Sequence, residues 1–448
     1  MNLKKVRTQE HRIGVVGLYR SGKTVFTTSL IDHLRFQDPQ RFPLADDAAR
    51  IRQFSDEGQQ ADAGWDWFEY RKYRDRLTHS GEWPEKTKAR LQYACEFERT
   101  DRRRWQRVKL YDFPGERIAD AAMYSLGYDA WSDFMLAHLD ADTKYKNEVQ
   151  EFLDLQTIEG VSEDVVLTTY KKALAQLALA YKALISPSVF LLDTHGDSAR
   201  PAPVEDLVRT RRVGLEGEEF APMRESFREN HPDLRDAFEQ RYKEYRKKIV
   251  RPWVRGLRRC HSLAVLVDIT MVLAGGQGMY HDNQYMIRKL LRIIGVGESI
   301  IGHVGKGIPR IFLPAKWRPG GISKIAFLAS KSDKVLDIDT YKHLLKSMVR
   351  RDADNLDGVE TAYFSCSAVK STEVLDTDSR TMCARLHGLK SNPSEKRKFK
   401  VPQLPEDWPL QWNGDDYRFP RVDPMMPPRK DYPPEHDNLD KVFAFLTD

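Results

Sequence analysis

The chain has 448 residues, 41% hydrophobic and 10% aromatic, more than one ordinary core accommodates, which implies two or more structural units. Its 72 basic and 66 acidic side chains leave a net charge of +6, too mild a bias to mark a nucleic-acid binder. The start, MNLKKVRTQEHRIG, lacks the apolar run of a signal peptide, the apolar stretches are too short to span a bilayer, and Cys95, Cys260, Cys366 and Cys383 have neither metal-ligand nor redox spacing.

In chain order, RIGVVG (12–17) reads as a short strand ending in Gly, and TVFTTSLIDHLRF places Val25, Phe26, Leu30, Ile31 and Leu34 at helical spacing. Between them stands GLYRSGKT (17–24), a Gly, four free positions, then Gly-Lys-Thr. The pattern is short enough to arise by accident, but between a strand and a helix it has a mechanism. Backbone N–H groups of such a loop point at phosphate oxygens, and the helix N-terminus adds partial positive charge. Tyr19, Arg20, Ser21, Gly22, Lys23, Thr24 and Val25 are the candidate phosphate contacts, with Lys23 reaching the terminal phosphates and the Thr24 hydroxyl on Mg2+. A lookalike, GHVGKG (302–307), has no hydroxyl after its Lys and is followed by Pro309, so it reads as a loop.

From about 38 to 87 the chain is polar; Arg50 to Arg76 predicts helix and HSGEWPEKT predicts loop. Thr87 stands in that loop, with Thr78 just before it and Thr100 beyond the next strand-like run. LQYACEFE and RVKLYDF predict strands, and the basic stretch RTDRRRWQ between them reads most simply as a solvated turn. The second strand ends in Asp112, followed by Phe113, Pro114 and Gly115: a carboxylate to hold a metal through water, and a glycine whose N–H can approach a γ-phosphate closely. Residues 118–260 are largely helical in pattern, with amphipathic runs around 148–184 and 222–258 and a loop segment near 194–221.

Strand-like SLAVLVDI, KIAFLA and TAYFSC then alternate with helix-like YHDNQYMIRKLLRII and DTYKHLLKSMVRR, which predicts an α/β sheet. After KIAFLA come Ser330, Lys331, Ser332 and Asp333. A carboxylate at Asp333 can accept guanine N1–H and its exocyclic amine together, a donor pair that adenine lacks, while the Lys331 stem lies along the base. Ser367, Ala368 and Val369, within SCSAV, offer the Ala368 N–H to the guanine O6. Beyond 392 prolines crowd the chain, and Trp408, Trp412, Tyr417 and Phe419 predict an extended arm that packs on the body and closes with the short helix DNLDKVFAFL.

GLYRSGKT, the WPEKT loop, YDFPGE, SKSD, SCSAV and the Pro-rich arm together resemble GTPases of the class containing Ras-like and heterotrimeric G-protein α proteins, and more closely the YcjX family of bacterial stress-associated P-loop GTPases. The resemblance implies an α/β P-loop NTPase sheet with helices on both faces, a large mostly helical insertion and the Pro-rich C-terminal arm. On that reading 1–117 and 261–391 form the GTPase domain, 118–260 the insertion and 392–448 the arm. It implies GTP/GDP and Mg2+ as cofactors, with Thr24, Thr87 and Asp112 at the metal, Thr87 and Gly115 at the γ-phosphate (Thr78 and Thr100 being the rivals of Thr87), and Ser330, Lys331, Asp333, Ser367, Ala368 and Val369 at guanine. It further implies a cytoplasmic, nucleotide-dependent switch with slow hydrolysis, tied to envelope stress or phage shock. An unnamed effector or GTPase-activating partner belongs to that picture; nucleic acid does not, and any membrane contact runs through partners.

Three departures stand against the family pattern. Ser330 replaces the usual Asn or Thr. Glu116 stands where many relatives have a water-orienting Gln, so the catalytic set would be Lys23, Thr87 and Glu116. The gaps from Lys23 to Asp112 (89 residues) and from Asp112 to Asp333 (221) exceed those of a minimal GTPase. An arginine finger in cis from Arg20 or Arg117 is a further reading, against the simpler one that both are structural. An ATPase, or a stress scaffold whose nucleotide never turns over, are the alternatives.

Overall fold

The structure, a computed structural model, describes residues 8–18, 20–44, 50–56, 59–85, 89–102, 104–141, 143–180, 203–295, 321–387, 395–412 and 414–448. Its centre is an eight-stranded sheet. The strands are β1 (Thr8–Gly17), β2 (Ile51–Ser55), β3 (Asp66–Trp67), β4 (Leu91–Arg99) and β5 (Trp105–Asp112), then, after a separate two-strand hairpin of β6 (Gly214–Leu215) and β7 (Glu218–Glu219), β8 (Ser262–Val267), β9 (Lys324–Ser330) and β10 (Glu360–Cys366). Their order across the sheet is β10-β9-β8-β1-β5-β4-β2, with β3 on β4. The five strands from β10 to β5 are mutually parallel, so their C-terminal ends lie on one edge. β4 runs antiparallel to β5, and β2 antiparallel to β4.

Where both faces are covered, the parallel strands are apolar without alternation, whereas β5 alternates over Trp105–Leu110. β8 is buried at every residue, and β1 from Ile13 to Gly17. On one face α1 (Lys23–Phe36) lays Phe26, Leu30, Ile31 and Leu34 against Val15, Leu110 and Leu266, and the C-terminal helix Leu439–Thr447 adds Leu439, Val442, Phe443 and Leu446. The helix Ile338–Ala353 covers the other face, where its Lys346 lies 5.8 Å from the Tyr363 ring centre and Tyr363 stacks on Phe327 at 5.5 Å. β11 (Glu373–Asp376), β12 (Thr381–Ala384) and β13 (Arg397–Lys400) form a small antiparallel sheet, and farther on Trp408 and Trp412 donate their indole N–H groups to the carbonyls of Leu344 and Leu273 at 2.8 and 2.9 Å.

Two compact units account for the contacts. The first, Met1–Gly115 with Leu257–Tyr280 and Ile294–Asp448, holds the sheet. The second, Glu116–Gly256 with His281–Ile293, is mostly helical, with helices Tyr128–Ala141, Thr143–Leu155, Glu163–Ala180 and Pro232–Tyr245. Its core is aromatic: Trp131 meets Tyr242 at 5.1 Å and Phe220 at 5.4 Å, and the buried Tyr128 hydroxyl donates to the Ala221 carbonyl at 2.6 Å.

Two expectations need correction. Arg50–Arg76 is not a long helix; Ile51–Ser55 pairs with β4, and among the described residues of this range helix is confined to Tyr70–Asp75 and the start of the π-turn Arg76–Ser80. The edge of β4 presents a row of backbone donors and acceptors, and pairing with it prevails over a local helical preference. Within the expected 194–221 loop, Val204–Thr210 is helical and β6–β7 is a hairpin. The lookalike GHVGKG lies outside the described residues. Among the described residues no helix is long and apolar enough to cross a membrane.

Candidate functional site

β1 delivers the chain to the C-terminal edge of the sheet, where Gly17 pairs with Leu266 of β8 and Val15 with Asp112 of β5. Crevices at that edge, between neighbouring parallel strands, are where α/β sheets bind ligands. The turn into α1 is left-handed at Arg20 (φ 58°) and Gly22 (φ 91°), the latter a conformation in which glycine is unstrained. Ser21 is buried, Arg20 exposed, and Gly22, Val25, Lys23 and Thr24 half-buried. Tyr19 lies outside the described residues.

Lys23 folds back over the turn and donates to the carbonyls of Gly17 (3.1 Å) and Leu18 (3.2 Å). The Thr24 hydroxyl faces Asp112 Oδ2 at 3.4 Å, a long and therefore weak contact. Asp112 is wholly buried at the end of β5. Gly115 lies so close that a Cβ there would stand 2.1 Å from the Gly17 carbonyl oxygen and 2.7 Å from Lys23 Nζ; no other residue fits. Lys23, Thr24, Asp112 and Gly115, separated by up to 92 residues in sequence, thus converge within one turn of chain.

The donor set suits a hard divalent ion only in part. Among the described residues no group of three His, Cys, Asp or Glu side chains forms a metal cluster. Thr24 and Asp112 supply two oxygens side by side, the sparse set that Mg2+ accepts when phosphate oxygens and water complete its shell.

Thr87 lies outside the described residues, and the structure separates its rivals. Thr78 is buried and its hydroxyl donates to the Arg74 carbonyl at 3.1 Å. Thr100 accepts from the Arg50 N–H at 2.9 Å, at the end of β4 remote from Leu91, which is the residue that pairs with Asp112. Glu116 and Arg117 lie on the 3-10 turn Gly115–Tyr124.

Along the same edge, β9 ends in Ser330, which is buried and whose carbonyl accepts the Tyr341 hydroxyl at 2.7 Å. Lys331 is left-handed (φ 60°) and sends its ammonium to Asp268 Oδ2 at 2.6 Å. Asp268 follows β8, is only 5% exposed, and caps the next helix by accepting from Thr270 Oγ1 (2.5 Å) and the Met271 N–H (3.1 Å). Burial alone would raise its carboxyl pKa; the Lys331 and Lys334 charges outweigh that and hold it below the usual carboxylate range. Lys334 itself is pushed down to about 8, by burial first and then by the Lys331 charge.

Asp333 is buried beside this pair and accepts from Ser367 Oγ at 2.7 Å and from the N–H and hydroxyl of Ser371 at 2.7 and 2.6 Å. The Ala368 carbonyl accepts Ser29 Oγ of α1 at 2.6 Å, and Val369 is buried next to it. The edge therefore has two ends: Lys23, Thr24, Asp112 and Gly115 at one, and Lys331, Asp333, Ser367 and Ala368 at the other, bridged by α1.

Sequence reasoning missed two members of this set. Asp268 follows an apolar strand as Asp112 does, a signal that could have marked it. Ser371, four residues past Ser367, carries no local signature at all.

A family model described as the YcjX-like family, DUF463, matches residues 11–448. The chain is also 23% identical over 468 aligned positions to a protein of Escherichia coli strain K12 named Ras-like GTPase YcjX, the match covering 97% of this chain and 94% of that one. The chain belongs to the YcjX-like family.

Proposed function

We propose that this chain binds guanine nucleotide with Mg2+, hydrolyses GTP slowly, and changes conformation with the state of the nucleotide. The observation that carries the reading is the convergence on one sheet edge of Lys23, Thr24, Asp112 and Gly115 with Lys331, Asp333 and Ser367. The name of the similar Escherichia coli protein, a Ras-like GTPase, supports it.

Phosphate entry exchanges the two carbonyl partners of Lys23 for phosphate oxygens, which bind an ammonium more strongly because they are charged. The amides around Ser21 to Thr24 and the α1 N-terminus receive the remaining negative charge. Thr24 and Asp112 would hold Mg2+, whose charge would offset that of the phosphates. Water attacks the γ-phosphorus in line as its bond to the β–γ bridging oxygen breaks, releasing GDP and phosphate, and the preformed donors stabilise the transition state. Thr87 is the residue proposed to sense the γ-phosphate, Gly115 offers its N–H, and Glu116 orients the water. A carboxylate near that charge explains slow turnover without a partner. Lys331, Asp333 and the Ala368 N–H select guanine, flanked by Ser330 and Val369.

On this reading residues 1–117 and 261–391 are the nucleotide-binding part, 118–260 an inserted region and 392–448 an arm. The protein works in the cytoplasm in a stress response with an effector or activating partner, and residues 78–90 and 113–135 carry the conformational output, ordered by the γ-phosphate and released after hydrolysis.

The test is isothermal titration of nucleotide-stripped protein with GDP and with ADP in Mg2+, alongside Lys23→Ala. Binding of GDP alone, abolished in the variant, supports the reading. Preference for ADP overturns the guanine assignment, and silence with both from folded protein overturns the phosphate loop.

A further inference from the structure

The carboxylate at Asp333, the proposed guanine reader, is already engaged by the protein itself. An ionised carboxylate offers about four acceptor positions, two on each oxygen. Ser371 takes both positions of Oδ2, with its N–H at 2.7 Å and its hydroxyl at 2.6 Å, and Ser367 takes one of Oδ1 at 2.7 Å. A base that presents two parallel N–H donors needs one position on each oxygen, and Oδ2 has none left.

Ser371 is held there from two sides. Thr372 hydrogen-bonds through its hydroxyl to the Asp333 carbonyl, which keeps the two backbones in register. The C-terminal segment fastens the loop that carries Ser371. Lys370 N–H donates to the Glu435 carbonyl (2.8 Å), Met425 N–H to the Lys370 carbonyl (2.9 Å), and Ser367 and Asp437 exchange N–H···O bonds of 3.1 and 2.7 Å. Lys370 Nζ adds an ion pair to Asp437 Oδ1 at 3.1 Å, and Asn438 Nδ2 donates to the Ser365 carbonyl at 2.9 Å. Ser367, Ser371 and Asp333 are all buried, so these bonds are shielded from water and each is a real obstacle to exchange.

We propose that Ser371 is an internal competitor for the base: its N–H and hydroxyl close Asp333, a two-donor purine edge enters only when Ser371 moves off Oδ2 while Ser367 and Ala368 stay in place, and the clamp from residues 425–438 thereby sets guanine-nucleotide affinity. This rests on Asp333 as the guanine reader. Ser371 is a specificity-determining residue in this scheme because a base offering one N–H or none has less to gain from displacing it.

Two measurements on the full chain test it. Titration of wild type and Ser371→Ala with GDP should show affinity rising about tenfold in the variant, the scale of one hydrogen bond to a charged group removed from the competition. Equal or weaker binding by the variant overturns the proposal and leaves the guanine reading standing. No GDP binding by either protein overturns both, whereas binding by the variant alone supports both. Hydrogen exchange of the wild type guards against a variant that fails to fold. The Ser371 amide should be protected in the nucleotide-free protein and exchange faster with GDP, against the general gain in protection that ligand binding brings. Protection that is unchanged or increased at this amide overturns the competitor role.

Discussion

The two ends of the sheet edge differ in how tightly they are closed. Where phosphate is proposed to bind, the contacts are long: Lys23 donates to two carbonyls at 3.1 and 3.2 Å, and Thr24 faces Asp112 at 3.4 Å. At the other end the contacts of Lys331 and of the Asp333 carboxylate are short. Lys331 meets Asp268 at 2.6 Å, and the oxygens of Asp333 hold their three donors at 2.6 to 2.7 Å. Neutral carbonyls give up an ammonium cheaply to charged phosphate oxygens, while buried, charge-assisted bonds must be replaced one for one. On the proposed reading the first end grips anything with phosphates, and the second admits only a base that makes up for its opening.

The strongest way to break this contrast is at Lys23. Lys23→Ala should lower GDP affinity at least about a hundredfold in titration, since it removes the charged donor that the phosphates would take over. A loss of only a few-fold would place the grip in the backbone alone. Next, Asp333→Asn should cost GDP about thirtyfold and leave ADP unchanged, because an amide offers one acceptor where guanine needs two. Equal losses for both nucleotides would remove Asp333 from base selection.

Smaller, and sharper as a test of pre-organisation, is Asp268→Asn. It keeps the shape of the helix cap but weakens the hold on the Lys331 ammonium, and should reduce GDP affinity about fivefold with little change in the phosphate end. An unchanged GDP titration would make the Asp268–Lys331 pair purely structural.

The mildest prediction concerns α1, which joins the two ends. His33 is buried on it, bonded to the Pro434 carbonyl at 3.0 Å and packed edge-on to His436 at 4.5 Å. Burial, and then the neighbouring His436, push its pKa down to about 3. The unfolded chain takes up this proton near pH 6.5 while the folded one does not, so stability is lost as pH falls from 6.5 toward 3, by about 1.4 kcal/mol per pH unit. Denaturant titration between pH 7 and 5 should show that slope, flattened in His33→Asn. An identical slope in the variant would assign acid sensitivity elsewhere.

How much was legible depended on whether the chemistry was contiguous. GLYRSGKT and DFPG are local patterns whose glycines and following helix carry the geometry with them, so Lys23, Thr24, Asp112 and Gly115 could be named before any fold was known. SKSD and SCSAV could likewise be named, and the structure brings Asp333 and Ser367 within 2.7 Å. Strand-like runs alternating with helix-like ones were enough for an α/β sheet. The 50–76 region was misread because its helical composition says nothing of the open edge of β4 beside it.

The sequence by itself determined the family, the α/β class and the identity of the loops that end the parallel strands, because apolar runs, glycines and a Lys-Thr pair act through their nearest neighbours in the chain. Only the tertiary structure decided what those loops meet. Asp268 finds Lys331 across 63 residues because β8 and β9 are adjacent in the sheet. Ser371 finds Asp333 across 38, with a loop clamped by a segment some 60 residues farther on. Such pairings depend on strand order and on which carboxylates lose their water, and neither is written in any short run of residues.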